Sequence, residues 1–397
     1  MRKSKASLAV IFGIVFIDLI GFGIVIPVLP LYAERFGASP LVVGCLLAVY
    51  SLMQTIFAPI LGRWSDRVGR RPVLLISIIG SSLGFLLMGL ANSLALLFAG
   101  RIIDGITGGN ISTAQAYIAD VTPAHERSKG MGLIGAAFGL GFIFGPAIGG
   151  VMSHFSLSAP LLFAAALAAV NAVAVYFFLP ESLSKEHRHD SRERASMAQL
   201  FREARGSALA VVIGTYFFST VAFSLLTATY PLFASHRFGF RAPQVGYIFA
   251  GMGILGAMVQ GGMMGRLVKA FGEKRLTIAG TFLLAMSLFL LPISPTALIL
   301  FVATGGIGLG HALSTAPLNG LASKAVGPAA QGRVLGAMQS ASSFARIIGP
   351  VLGGWMLNQD LLLRMQAHYG RAPYWTGGVI MLVACGLAIS LKLSDES

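Results

Sequence analysis

The sequence predicts an all-α integral membrane protein, with about twelve transmembrane helices in two homologous six-helix bundles. Three observations lead to this prediction. Hydrophobic residues make up 55% of the 397 residues, charged residues only 11%, and the mean hydropathy is +0.78. The hydrophobic residues form long continuous runs, and the pattern of these runs repeats within the chain. A water-soluble domain of this size could not bury so much apolar surface.

Each predicted helix is an apolar run of roughly 20 residues, which is the length that crosses about 30 Å of hydrocarbon. A β-barrel would instead show short alternating segments. The first run follows a basic start, but it is longer than a signal peptide and lacks a small-residue cleavage site, so we expect it to be retained. The runs fall near residues 8–32, 41–61, 73–92, 94–119, 128–152, 158–179, 207–232, 243–264, 276–293, 297–322, 332–356 and 374–391.

An internal repeat supports two equivalent halves. The pattern Gly132, Gly141, Gly145, Pro146, Gly150 of the fifth run returns 204 residues later as Gly336, Ala345, Gly349, Pro350, Gly354. The stretch Gly62–Arg71, predicted to be a polar turn between two helices, recurs, weakened, as Gly265–Arg275, and Pro27 returns as Pro231. We therefore predict an N-terminal bundle over 1–180, a linker over 181–206 and a C-terminal bundle over 207–397, with the substrate between the halves.

The net charge of +14 is interpreted as a record of membrane topology. The intervening loops hold few basic residues, namely Arg35, Arg237, Arg241, Arg364 and Arg371. Every second loop, counted from the N-terminus, is much more basic, with Arg63, Arg67, Arg70 and Arg71 in the second of them. The positive-inside rule then places both termini and the 181–206 linker in the cytoplasm, and nucleic-acid binding is not expected.

Neither a metal site nor a disulfide is expected. His187 and His189 lie in the polar linker without further ligands, and Cys45 and Cys385 lie in apolar runs. Part of the linker is predicted to be helical from Ser196 onward. No cofactor is implied, and the absence of a GxxxxGK[ST] pattern favours a proton gradient over ATP as the energy source.

Several motifs carry a resemblance to a known family. Gly21–Pro30, the Gly62–Arg71 stretch, Arg101 with Gly105, and Gly132–Gly150 resemble the signature motifs of the major facilitator superfamily. Their combination is most similar to the twelve-helix drug:proton antiporters, and among these to the tetracycline-resistance efflux branch. The resemblance implies a multi-pass protein of the bacterial inner membrane, acting as a monomer, that exchanges protons for a small amphipathic compound.

Asp66 is an acid among arginines and therefore needs a partner, and Asp120 is a plausible second partner for Arg70. The resemblance implies a gating network that closes the cytoplasmic side in the outward-facing state. The members of this network are Gly62, Asp66, Arg67, Gly69, Arg70 and Asp120. The alternative is that these residues only fix the orientation of the chain in the membrane. The antiporter motif, made of Gly141, Gly145, Pro146 and Gly150, is interpreted chiefly as a close-packing surface.

Asp18, Arg101, Asp104 and Arg346 fall within the predicted hydrocarbon, where an unpaired charge costs at least a few kcal/mol. Burial favours the protonated form of a carboxyl group and a nearby guanidinium favours the ionised form, so Asp18 is the preferred proton carrier, with Arg101 and Asp104 beside it. A purely structural Arg101–Asp104 pair remains an alternative. Arg346 is predicted either to contact substrate or to serve as a structural donor.

The equivalent positions of the second half hold neutral residues, namely Ala222, Thr304 and Ile307, so the proton machinery is expected in the first half. The tetracycline exporters carry further acids in helices three and nine, whereas Gly84 and the acid-free run 276–293 stand here. A neutral, zwitterionic or anionic substrate is therefore expected as readily as a metal–tetracycline chelate. The candidate substrate contacts are Tyr50, Gln54, Asn110, Gln115, Phe223, Gln260, His311, Gln339 and Arg346.

Two other functions remain open. A proton symporter that imports a metabolite would keep the same fold, and a membrane receptor or scaffold would keep it without transport. An intramembrane enzyme is disfavoured, because the sequence shows no nucleophile–base pair and no cluster of metal ligands.

Overall fold

The computed structural model describes residues 2–122, 127–183, 208–326, 331–362 and 368–391, with side chains from residue 8, 130 and 334 onward in the first, second and fourth of these ranges. Every regular element in these ranges is helical. Most of the predicted linker, with its helix from Ser196 and with His187 and His189, lies outside the described residues.

The described residues of the first half fold into seven helices that form six spans. They are α1 (Arg2–Glu34), α2 (Pro40–Val68), α3 (Arg70–Gly89), α4 (Leu94–Thr107), α5 (Asn110–Val121), α6 (Arg127–Met152) and α7 (Ala159–Phe178). The predicted fourth run is thus not one continuous helix, because the α-helix is interrupted at Gly108 and Gly109. The two helices on either side still make up one span, Leu94–Val121.

The described residues of the second half form five apolar spans and one further long helix. They are built from α8 (Ala208–Phe238), α9 (Ala242–Ala257), α10 (Met264–Phe271), α11 (Glu273–Leu290), α12 (Ala297–Lys324), α13 (Gln331–Leu362) and α14 (Arg371–Ser390). A π-helical turn, Met258–Met263, joins α9 to α10 in a single span, and a short 3-10 turn, Leu291–Ile293, follows α11. Such π turns within α-helices are frequent at functional positions.

Within the described residues, eleven spans are long and apolar enough to cross a membrane. The remaining long helix, α13, has 32 residues. Its mean hydropathy is lowered by polar side chains in its middle, among them Gln339, Ser343 and Arg346. The twelve long spans therefore match the predicted runs in number, and the least apolar of them carries Arg346.

The predicted polar turns were wrong in extent. Gly62 is helical, because α2 continues to Val68, and α10 likewise continues to Phe271. The chain reverses at single glycines, Gly69 with φ of 117° and Gly272 with φ of 77°, in a region that residues with a side chain rarely adopt. Helix continuation keeps the backbone hydrogen bonds satisfied while the basic side chains reach solvent.

Glycines bring α6 against α1 and α13 against α8. A Cβ at Gly145 would lie 2.5 Å from Gly23 Cα, and one at Gly141 would lie 2.7 Å from Leu19 Cβ. In the second half, a Cβ at Gly349 would lie 2.7 Å from the carbonyl oxygen of Val221. Removing side chains allows two backbones to approach closely, which is how helices commonly pair in membranes.

The chain forms two compact units. Within the described residues, the first unit comprises Met1–Ala38, Leu46–Arg192 and Phe240–Ala250, and the second comprises Ser39–Cys45, Glu193–Gly239 and Gly251–Ser397. The division into bundles at 181–206 stays a prediction.

Candidate functional site

Asp18 lies in the middle of α1 and meets the start of α5. Its Oδ2 accepts a hydrogen bond of 3.0 Å from Asn110 Nδ2. Asn110 is buried and begins α5 directly after the helix break, so the break places this amide opposite α1. A neutral donor on one oxygen leaves the other oxygen of Asp18 available to carry a proton.

Arg101 and Asp104 form a buried ion pair on α4. Arg101 Nη1 donates to Asp104 Oδ2 over 3.1 Å, and the two residues are 2% and 4% exposed. Ser81, on α3, also hydrogen-bonds Asp104, and Asp18 lies near enough to Asp104 to interact with it electrostatically. The three charged residues therefore form one group, with two carboxylates for one guanidinium.

Tyr50 and Gln54, on α2, complete this group. The guanidinium carbon of Arg101 lies 4.3 Å from the centroid of the Tyr50 ring, a cation–π geometry. Gln54 Nε2 donates to the carbonyl oxygen of Gly108 over 2.7 Å and to Tyr50 Oη over 3.2 Å. The Gln54 amide thus satisfies a backbone carbonyl at the break in the fourth span.

The structure accordingly brings together six of the sequence-predicted residues in one largely buried polar cluster of the first unit. We call this the proton cluster, after the role that the sequence analysis predicted for Asp18, Arg101 and Asp104, and it consists of Asp18, Tyr50, Gln54, Arg101, Asp104 and Asn110. Gln115 is not part of it, since it is exposed on α5. The sequence did not point to Ser81, because a serine in an apolar run gives no distinctive signal.

A second charged group lies where α3 begins. Arg70 Nη1 donates to Asp66 Oδ1 over 2.5 Å and to Ser65 Oγ over 2.7 Å, while its Nε donates to Asp120 Oδ2 over 3.2 Å. Arg70 is itself buried, so these partners replace the water it has lost. Arg67, by contrast, is exposed. Both acids that the sequence placed near Arg70 are thus bonded to it.

Glu181 is a member of this second group that the sequence analysis missed. Its Oε1 accepts from the backbone amide of Arg70 over 2.8 Å, and its Oε2 from that of Arg71 over 3.2 Å. The first amides of a helix lack intrahelical acceptors, and a carboxylate also offsets the positive end of the helix dipole. Gly69 makes room for it, since a Cβ there would clash with the Glu181 carboxylate.

The second half repeats this geometry with the charges exchanged. Glu273 begins α11 after Gly272, as Arg70 begins α3 after Gly69. Its Oε2 is 3.1 Å from Nζ of Lys324, the last residue of α12. Lys324 stands 204 residues after Asp120, so acid and base have changed places.

The neighbouring cation is repeated as well. Arg71 Nη2 donates to the carbonyl oxygen of Tyr176 near the end of α7, and Lys274 Nζ donates to that of Leu391 at the end of α14 over 2.6 Å. A cation at the carboxyl end of a helix satisfies free carbonyls. The repeat therefore extends from the glycine pattern to the side-chain contacts at the helix ends.

Two of the remaining candidates are stacked in the second unit. The rings of Phe223, on α8, and His311, on α12, have centroids 3.8 Å apart and an angle of 10° between their planes. Arg346 Nη2 donates to Ser343 Oγ over 3.4 Å one turn earlier on α13. Gln339 is exposed on the same helix, and Gln260 is exposed in the π-helical turn.

No group of three or more His, Cys, Asp or Glu residues able to hold a metal ion occurs in the part of the chain that the structure describes. Cys45 and Cys385 are free thiols.

Comparison with known proteins shows the family of this chain. The Major Facilitator Superfamily profile matches residues 11–350 and again residues 212–397. The chain is 34% identical over 386 residues to the tetracycline resistance protein, class E, of Escherichia coli, across 95% of this chain and 91% of that protein. It is 30% identical over 396 residues to multidrug resistance protein 2 of Bacillus subtilis (strain 168), across 99% and 96% of the two chains.

Solved structures give the same fold. The human organic anion transporter MFSD10 is 26% identical, with a TM-score of 0.72 over 97% of this chain and 99% of that chain. A bacterial homologue of the human lysosomal transporter Spinster is 14% identical, with a TM-score of 0.81 over 99% of both chains. With its long apolar spans, its internal repeat and relatives along its whole length, the chain belongs to the Major Facilitator Superfamily, in the drug-efflux branch, and is a multi-pass membrane transporter of small molecules.

Proposed function

We propose that this transporter is an antiporter of the bacterial inner membrane, which admits protons and exports a small amphipathic compound by alternating access. The proton cluster of the first unit carries the proposal. It joins two carboxylates and one guanidinium inside the membrane spans, with Arg101 and Asp104 buried and Asp18 half-buried. An ionisable residue inside a membrane span is costly and is usually retained for function.

Charge balance in this cluster suggests one proton for each transport cycle. With both acids ionised, Asp18, Asp104 and Arg101 sum to one negative charge, and a single proton makes the group neutral. Since the two carboxylates interact, the proton belongs to the pair; the Arg101 guanidinium favours the ionised form of Asp104, and this leaves Asp18 as the preferred seat of the proton. Loading this proton changes the charge between α1 and α4 and so favours one conformation over another.

The Arg70 group supplies the conformational gate in this proposal. Positive-inside topology puts it on the cytoplasmic side, together with both termini. Its buried guanidinium, held by Asp66, Asp120 and the amide-bound Glu181, fixes the ends of α2, α3 and α5 to one another. Such a fixed arrangement can dock as a whole, or separate as a whole, when the protein switches state.

The names of the relatives indicate a broad class of substrate. Relatives of this chain are named for resistance to tetracycline and to multiple drugs, and one solved relative is an organic anion transporter. We infer an amphipathic organic compound, handled by a single chain. A metal–tetracycline chelate is one candidate among these.

Everted membrane vesicles test the proposal. They are energised to an acidic interior, and the dye acridine orange reports the pH gradient while tetracycline and a panel of amphipathic drugs are added in turn. If the protein is an exporter, at least one compound should cause protons to leave the vesicles. Wild-type vesicles should also accumulate that compound. An importer would instead drive the compound out of the vesicles, and proton flux that no compound changes would contradict coupled transport.

A further inference from the structure

Many serine and threonine hydroxyls of the membrane spans donate to a carbonyl oxygen of their own helix, one turn earlier. Thr55, Thr215 and Thr277 are examples, with distances of 2.7, 2.8 and 2.9 Å. The hydroxyls of Ser77 and Thr113, in the first unit, make no such bond and have no hydrogen-bond partner among the described residues. Both residues are 0% exposed. A buried hydroxyl without a partner is costly, so each of these two points to a polar ligand.

Ser77 lies on a polar face of α3 between the two charged groups of the first unit. Arg70, seven residues earlier, and Ser81, four residues later, share this face, because these intervals are close to whole helical turns. Arg70 bonds Asp120 in the Arg70 group, and Ser81 bonds Asp104 in the proton cluster. Ser77 therefore lies between the Arg70 group and the proton cluster.

Thr113 has the matching position on α5. Asn110, three residues earlier, donates to Asp18 in the proton cluster, and Asp120, seven residues later, accepts from Arg70. These intervals place Asn110, Thr113 and Asp120 on one face of α5. Because α3 packs against α5 and Arg70 is bonded to Asp120, the polar faces of the two helices meet at this end.

Helix geometry gives the depth of the two hydroxyls. Each lies seven residues, about 10 Å along its helix, from the Arg70–Asp120 ion pair. Since α3 leaves this pair and α5 arrives at it, Ser77 and Thr113 lie at the same depth, with the proton cluster beginning about 5 Å further on at Asn110. Asn110 Oδ1 is also buried without a hydrogen-bond partner in the described part of the chain. Three such atoms are what one buried water molecule usually bonds.

The Arg70 group can pass a proton on to solvent. The side chains of Asp66 and Asp120, both bonded to Arg70, are 31% and 24% exposed, whereas that of Arg70 is 8% exposed. With Glu181, three carboxylates accompany one guanidinium, so an arriving proton meets acceptors that touch water. On α5, Tyr117 is the titratable side chain between this group and the proton cluster, and its hydroxyl donates to a backbone carbonyl over 3.1 Å.

The second half lacks both hydroxyls. Gly280 corresponds to Ser77 and Pro317 to Thr113, at the offsets of 203 and 204 residues that relate the ends of these helices in the two halves. A neutral residue also takes the place of Asp18 in that half. The unpartnered hydroxyls and the proton cluster thus occur together, as expected if the hydroxyls serve the cluster.

Resting on the antiport function proposed above, we propose that α3 and α5 enclose a chain of water molecules, held by Ser77 and Thr113, through which the proton cluster releases its proton towards the Arg70 group. The carboxyl pair gives its proton to the nearest water molecule and becomes ionised. Each water molecule and hydroxyl then accepts one proton and donates another. The last one donates to a carboxylate of the Arg70 group or to the solvent beside it, so one proton enters the chain and one leaves it.

Time-resolved infrared spectroscopy on the purified full-length protein tests this path without a transport substrate. A laser flash releases protons from a caged acid, and the carbonyl band of protonated carboxyl groups reports their arrival at the proton cluster, since a proton path works in both directions. Asp18→Asn identifies the band. Thr113→Val keeps the shape of threonine without its hydroxyl, and Ser77→Ala removes the other hydroxyl. Each should slow the band about threefold to tenfold, the effect of one hydrogen bond lost from a barrier, and leave its pH midpoint at equilibrium unchanged.

Two further variants separate a proton path from a structural role. Thr113→Ser restores a hydroxyl and should recover most of the wild-type rate. Ser112→Ala is the matched control, because the Ser112 hydroxyl donates to the carbonyl oxygen of Gly109 over 2.9 Å, and it should change neither the rate nor the midpoint. A purely structural role of the two buried hydroxyls would change the midpoint or the melting temperature, and not the rate alone.

The inference is overturned if Thr113→Val and Ser77→Ala keep the wild-type rate, or if the midpoint shifts together with the rate. A wild type without a carboxyl band that Asp18→Asn removes also overturns it. Its failure can be told apart from failure of the antiport proposal. Proton-coupled export in everted vesicles, with wild-type infrared rates in both variants, overturns the inference alone. Hydroxyl-dependent rates without coupled export of any compound overturn the antiport proposal alone.

Discussion

Asp18→Asn isolates the coupling of transport to protons. Asparagine has nearly the shape of a protonated aspartic acid and can keep a hydrogen bond with Asn110, whose Nδ2 is 3.0 Å from Asp18 Oδ2. The variant therefore should fold with little loss of stability. It leaves Asp104 paired with Arg101, a neutral group that no longer needs a proton. We expect net proton movement to stop while the substrate path remains intact.

The expected size of the effect follows from the charge balance of the cluster. With one proton coupled to each neutral substrate and the membrane potential held at zero, one pH unit across the membrane is worth about 1.36 kcal/mol, or about a tenfold substrate gradient. The wild type should approach this gradient, and Asp18→Asn should fall to no gradient. Exchange of labelled for unlabelled substrate, which needs no net proton transfer, should continue at a measurable rate.

The assay is accumulation in proteoliposomes with a pH step of one unit, using valinomycin and K⁺ to hold the potential at zero and the substrate found in the vesicle screen. Asp360→Asn is the matched control, since that acid belongs to the second unit, where it accepts a hydrogen bond from the Gly370 amide. It should retain the gradient. A tenfold substrate gradient in Asp18→Asn would refute the assignment of Asp18 as the proton carrier. Loss of both the gradient and the exchange would instead indicate that Asp18 has a structural role.

Three further outcomes are expected. Arg70→Ala removes charge-assisted hydrogen bonds worth about 1.5–3 kcal/mol each. Labelling of cysteines introduced within the fourth span, from the cytoplasmic side, should therefore increase about tenfold or more. Unchanged labelling would mean that the Arg70 group only fixes the orientation of the chain in the membrane. Glu181→Gln keeps the shape but loses the charge at the start of α3, and should lower the melting temperature and increase the same labelling, which a purely solvated Glu181 would not do. Gly145→Ala places a Cβ 2.5 Å from Gly23 Cα and should cost about 1–3 kcal/mol in thermal unfolding, whereas Gly139→Ala, which meets nothing within 4 Å, should be neutral.

The sequence was a good guide to the fold because membrane helices leave strong signals. Continuous apolar runs give span number, and the glycine pattern around Pro146 and Pro350 gives the repeat. Helix ends were predicted less well, since a basic helix end and a basic turn have the same composition. The arginines before Gly69 therefore looked like a turn although α2 continues to Val68. The break at Gly108 and Gly109 was missed for the related reason that glycine is common inside membrane helices.

Charged members of the site were predictable and neutral or distant ones were not. Asp18, Arg101 and Asp104 stand out because charge is rare in a span, and their proximity in the structure follows from the packing of α1 against the fourth span. Glu181 sits in a polar stretch where an acid attracts no notice. Its role becomes visible only when its carboxylate is seen on the first amides of α3, 110 residues earlier in the chain.

The turns at Gly69 and Gly272, which we call the first and the second corner, carry exchanged charges, and these charges predict different stabilities for the two corners. Arg70 is a cation at the positive end of α3, so its position is tolerated only while Asp66, Asp120 and Glu181 surround it. Glu273 is an acid at the positive end of α11, where the helix itself favours it, and its partner Lys324 is 63% exposed and contributes little. A corner that depends on several partners can be opened by removing one, and a corner favoured by its own helix cannot. We therefore expect that, in the transport cycle proposed above, the first corner is the one that opens and the second corner keeps its contacts.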